Sequence, residues 1–165
     1  MDWVVFVVQW LHVLLAILWF GNSLSLAAVI IPALNRLPLV NQQQVGAVLG
    51  ERGVRVFDVV GPAVIILGLL RGTVFGQIRD ANALFGTAYG LTFLVALIVA
   101  TATFLWGRYV IVPATQVLAK APVNPDGTPT AELDAALERA KRVTVLELIG
   151  FLVVFTCMIL MRFGL

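Results

Sequence analysis

The sequence predicts an all-α integral membrane protein, a single four-helix bundle, and three observations carry that prediction. Of its 165 residues 61% are hydrophobic and only 12% charged, with a mean hydropathy of +1.01, well outside the range of a soluble domain. The apolar residues gather in four runs, about 3–34, 54–75, 84–112 and 143–163, each long enough for the ~20 helical residues that cross a ~30 Å hydrocarbon layer. Such unbroken runs satisfy their backbone as helices, not as the alternating strands of a barrel.

The first span lacks a basic leader and an A-x-A site after a short core, so it reads as a retained anchor. Its only charge-capable side chain is His12, the sole histidine of the chain. At ~1.5 Å per residue His12 sits near mid-depth, where an ionisable group is costly and usually functional. Membrane helices meet along rows spaced about 3.5 residues apart, often small or polar. The first span offers His12, Leu15, Trp19 and Asn22, and the second Asp58, Gly61, Ile65, Gly68 and Gly72. The third offers Tyr89, Thr92, Ala96, Val99, Thr103 and Trp106, and the fourth Glu147, Gly150, Val154, Cys157 and Met161. The awkward residues thus all fall on predicted seams. Before the fourth span, APVNPDGTPT is a turn-rich linker. TPTAELDAALERAKRV then predicts an interfacial helix with Thr128 as N-cap and Pro129 in first position, running on into the span. Trp3 and Trp10 at one face and Trp106 with Tyr109 at the other fit aromatic belts.

Four spans place residues 35–53 and 113–142 on one side, with Arg36, Arg52, Arg55, Arg108, Lys120, Arg139, Lys141 and Arg142. Only Arg71, Arg79 and Arg162 fall on the other. The positive-inside rule therefore predicts a multi-pass cell-membrane protein with cytoplasmic long loops and both termini outside. A net charge of +2 reflects that bias and gives no reason to expect nucleic acid. The expected partners are the lipid bilayer and either further copies of the chain or a larger membrane complex. Cys157, the only cysteine, excludes an intrachain disulfide and a CxxC motif. No phosphate-binding glycine loop, zinc motif or serine-histidine-acid set is present.

VIIPALNRL (29–37) resembles VIVPATQVL (110–118). Each follows a span running inward, which suggests two helical hairpins related by duplication, with Pro32 and Pro113 at the inner rim. Extended backwards, the alignment sets His12 opposite Phe93. A chance match between two apolar strings is the competing explanation.

Two polar layers result. Near the inner edge Asp58 and Glu147 meet the descending Asn22 and Thr103, with Arg55, Arg108 and Arg142 close enough to pair with the carboxylates. This layer reads either as a structural ion-pair network or as a proton or cation site. His12 belongs to the outer half, at the height of Thr92, Cys157, Met158 and Met161. Imidazole binds haem iron or copper, and thiol and thioether suit copper(I) or haem. Arg71 and Arg79 at the outer end could receive haem propionates. The alternative is a histidine hydrogen-bonded to Thr92 or to a backbone carbonyl. With one histidine, bis-histidine haem cannot form within a single chain.

The string LHVLLAILWFGNSLSLAAVIIPAL resembles the opening helix of the copper-resistance D (CopD) family and related four-span families, through Leu11, His12, Trp19, Gly21, Pro32, Ala33 and Leu34. NRLPLVNQQQVGAVLG and GLLRG are similar to a set of small four-span proteins, and there is a more distant similarity to the HemJ type of protoporphyrinogen oxidase. The resemblance implies a bundle that handles copper or haem b, with His12 as ligand, Trp19 beside the group, and a role in copper handling or electron transfer. A HemJ-like oxidase activity is implied less strongly. The chain departs from the pattern in Asn22, Ser23 and the absence of a second histidine. Two other functions compete: a non-catalytic accessory subunit of a larger membrane complex, and a proton-coupled small-solute transporter using Asp58 and Glu147.

Overall fold

The computed structural model describes residues 2–125 and 127–165. They form four long helices, α1 (Trp3–Leu34), α2 (Leu39–Gly72), α4 (Ala88–Lys120) and α5 (Ala131–Arg162), with a short α3 (Ala81–Phe85) between α2 and α4. Each long helix is long and apolar enough to cross a membrane, as the four apolar runs predict. Among the described residues no strand forms, only an isolated bridge between Val123 and Pro129.

Local chemistry starts most of these helices. Side chains of Asp2, Asp80, Thr87 and Thr130 each accept a hydrogen bond from a backbone N–H of the first turn, at Val4, Ala83, Gly90 and Leu133 respectively. These contacts satisfy amides that the helix leaves unpaired. The cap of α5 is therefore Thr130, not Thr128. Pro129 biases the residue before it toward extended backbone, and Thr128 instead bonds across the turn to Asn124.

Two spans differ in extent from the sequence reading. α2 begins at Leu39, so only residues 35–38 connect it to α1. The stretch VNQQQVGAVLGERG carries Gln, Val and Leu and no proline between Pro38 and Pro62, and nothing in it stops a helix. α4 likewise runs on to Lys120, so that among the described residues of the predicted long third loop only those between Lys120 and Ala131 are non-helical.

The helices alternate in direction. His12 of α1 lies beside Val64 and Gly68 of α2, whereas Trp19 meets Phe104 of α4 and Phe151 of α5 edge to face, with ring centroids 6.2 and 5.0 Å apart. Trp19, Val60, Val64 and Phe151 form the buried centre, with Phe20, Phe57 and Phe104 packed around it. The outer faces carry Ile17, Val59 and Ile98, at 64%, 70% and 59% exposure, an apolar coat that suits lipid. Glycines set the spacing: a Cβ at Gly61 or Gly72 would fall on the ring of Phe104 or Phe93, and one at Gly150 on Thr103. Trp106 donates its indole N–H to Val143 O at 3.0 Å, so its polar handle ties α4 to α5.

Both α1 and α4 contain a π-helical turn, Leu26–Ile30 and Gly107–Ile111. Ile31 N–H reaches back to Leu26 O, and Val112 N–H to Gly107 O. Each turn precedes a proline by two residues, Pro32 and Pro113. A proline lacks the N–H and crowds the carbonyl four residues earlier, and a widened turn relieves that crowding. The two turns occupy equivalent places in VIIPALNRL and VIVPATQVL. The two segments thus share a local backbone feature as well as a sequence pattern.

Candidate functional site

The π turns lie at the end where α1 meets α2 and α4 meets α5, here called the basic end. Between the helices there lies a cavity of about 140 Å³. Its lining includes Asn22, Asp58, Thr103 and Glu147, the whole predicted inner layer, together with Trp19, Ser23, Phe57, Phe104, Gly107 and Arg108.

Each polar group arrives from a different helix. Asn22 and Thr103 occupy equivalent positions on α1 and α4, one turn ahead of the π segments. Asp58 and Glu147 sit in matching strings, VFDVVG (56–61) and VLELIG (145–150), each three residues before a glycine that takes a side chain of α4. That recurrence is present in the sequence. Pro62, inside α2, offers no N–H to the carbonyl of Asp58, so backbone polarity is exposed there as well.

The two carboxylates differ in partners. Asp58 pairs with Arg108 of the α4 π turn, Oδ1 to Nε 3.2 Å. Of the three arginines expected to serve this layer, Arg55 instead pairs with Glu51 on its own helix, and among the described residues no ion pair joins Arg142 to Glu147. Glu147 is half-buried, Ser23 lines the same cavity, and Glu147 Oε1 lies 3.2 Å from where a Cβ on Gly107 would stand. Thus the same π turn receives both acids: Gly107 makes room for one and Arg108 binds the other. Ser23 and Gly107 escaped the sequence reading, because a serine after Asn22 and a glycine after Trp106 gain meaning only from the widened turn.

The outer layer is closed. His12 is 6% exposed, and its Nδ1 lies 3.0 Å from Val64 O. A carbonyl only accepts, so Nδ1 carries the proton and the neutral ring keeps its lone pair on Nε2. Gly68 lets the ring approach, since a Cβ there would stand 2.9 Å from Cε1. Of the two hydrogen-bond partners expected for the ring, the backbone carbonyl is the one used, and Thr92 is not. The Trp19–Phe151 contact sets the register: His12, seven residues before Trp19, is level with Met158, seven after Phe151. Cys157 is buried, and Met158 and Met161 are half-buried. Arg71 donates to Gln9 Oε1 at 2.9 Å and to Phe75 O at 3.0 Å, and Arg79 to Gly76 O at 3.1 Å. None of these outer residues lines the inner cavity, and among the described residues no three His, Cys, Asp or Glu side chains cluster as a metal site.

Comparison of the chain with protein-family models, with curated proteins and with solved structures finds no match in any of the three.

Proposed function

We propose that this chain is a proton-linked membrane carrier that takes a small solute into the cavity at the basic end. One observation carries the reading: Glu147 faces a cavity shared by all four helices and, among the described residues, makes no ion pair, whereas Asp58 has Arg108. A carboxylate in apolar surroundings is expensive unless something neutralises it. A site that alternates between a proton and a solute at that carboxylate is the simplest use of such an arrangement. By the distribution of arginine and lysine the cavity opens toward the cytoplasm. Because four spans alone make a narrow pathway, we place the working unit as a homo-oligomer.

Proteoliposomes loaded with a pH-sensitive dye and challenged with sodium, potassium or permanently charged organic cations test this reading. At least one cation should drive proton counterflow in the wild type, and Glu147→Gln should reduce it about a hundredfold while melting as the wild type does. Wild-type traces that match protein-free liposomes for every cation overturn the proposal.

A second reading rests on the tautomer of His12. A histidine whose Nδ1–H is held by a backbone carbonyl is in the tautomer that metal-ligating histidines use, with the lone pair on Nε2. A ring this enclosed suits one metal ion, such as copper held with a sulfur of α5, better than a porphyrin plane. Bound copper would supply one-electron chemistry. Metal analysis and an absorption spectrum of the protein beside His12→Ala test it; a metal-free, colourless and fully folded preparation after copper loading removes it.

A further inference from the structure

We infer that the ligand of the inner cavity is a small organic ammonium ion, an inference that rests on the carrier reading above and adds the substrate class. Three aromatic side chains, Trp19, Phe57 and Phe104, line the same cavity as Glu147. An ammonium carrying methyl groups needs this combination. Aromatic faces attract the cation through their quadrupole while the methyls remain in contact with carbon, and a carboxylate supplies the counter-charge.

The surroundings argue against the other classes. Arg108, the only cationic side chain in the lining, is committed to Asp58 at 3.2 Å, so the uncompensated charge belongs to Glu147 and an anion is disfavoured. A hard metal cation asks for a cage of six or more oxygens, and only two carboxylates, Asp58 and Glu147, face this cavity, the first of them paired with Arg108; among the described residues no three His, Cys, Asp or Glu side chains cluster. A wholly apolar guest would strip water from Asn22, Ser23 and Thr103 without repaying their hydrogen bonds. Size agrees as well: a cavity of roughly 150 Å³ accommodates a benzene-sized molecule, and this one measures about 140 Å³.

The proton and the ammonium then compete for one carboxylate. The other charged groups in the described lining are Asp58 and Arg108, which pair with one another, so occupancy of Glu147 decides the net charge of the site.

The test is calorimetric titration of the purified full-length protein in mild detergent with tetramethylammonium chloride at about pH 8, with sodium chloride at equal ionic strength as control. Saturable heat should appear for tetramethylammonium and not for sodium. Glu147→Gln should weaken binding at least about tenfold and Trp19→Leu about tenfold, and acidification should weaken the wild type but leave Glu147→Gln unchanged. Melting curves of each variant show that it is folded. Equal heats for the two salts, or tetramethylammonium binding unaltered by Glu147→Gln, overturn the inference. If sodium drives Glu147-dependent counterflow in proteoliposomes while tetramethylammonium neither binds nor drives it, the substrate class fails and the carrier reading stands. If no cation drives counterflow, the carrier reading fails.

Discussion

His12 and Glu147 are ionisable groups on the seams of this bundle, one in each polar layer, and their surroundings differ in kind. His12 is closed in: Val64 O engages one nitrogen at 3.0 Å and Gly68 fits against its edge. Glu147 opens onto a cavity it shares with Ser23, and among the described residues it makes no ion pair, Arg108 being taken by Asp58. The repeat sharpens the contrast. At the outer level the equivalent residues His12 and Phe93 both lay a ring on a glycine of α2, Gly68 and Gly72, which cements the bundle. At the inner level the equivalent residues Asn22 and Thr103 stand beside widened turns where the helices part. The same seams thus serve as mortar at one depth and as a cavity wall at the other.

The strongest way to break the closed layer is Gly72→Val. Its Cβ would land on the Phe93 ring, and overpacking of this kind costs about 2–3 kcal/mol. The expected result is a clear loss of thermal stability in detergent, with some material failing to fold. A variant as stable as the wild type would show that α2 and α4 are packed more loosely here than the structure shows.

At the open layer, Gly107→Ala tests whether the π turn positions the acid. The new methyl would stand 3.2 Å from Glu147 Oε1, a crowding that a carboxylate at a cavity wall relieves by turning away. Stability should change by less than about 1 kcal/mol, while counterflow falls about fivefold. Unchanged transport would place the working geometry of Glu147 elsewhere in the cavity.

How much of this was legible follows from what set each feature. The four spans were readable because the bilayer fixes their length and composition. The inner layer was readable because Asp58, Glu147, Asn22 and Thr103 are polar residues at matched depth on seam positions. The choice of Arg108 over Arg55 and Arg142 was not, because it depends on the π turn that redirects that side chain. The signal for the π turns was present in the spacing of Pro32 and Pro113 within the repeat, but a proline near a helix end also fits a plain kink. The early start of α2 was hidden because a helix leaves the membrane without any change in its backbone, and only the apolar run ends where the lipid does.

The smallest expected effect separates the two layers most directly. His12→Leu removes one hydrogen bond to a carbonyl that belongs to the α2 ladder, so the loss is about 1 kcal/mol, measured as a modest drop in Tm, with counterflow unchanged. If His12 is only a tie between α1 and α2, copper present during purification should leave the melting of the wild type and of His12→Leu equally unaffected. A ligand that binds the native state stabilises it in proportion to its occupancy. If copper raises the Tm of the wild type and not of the variant, Nε2 holds a metal, and the closed layer has a chemistry of its own beside that of Glu147.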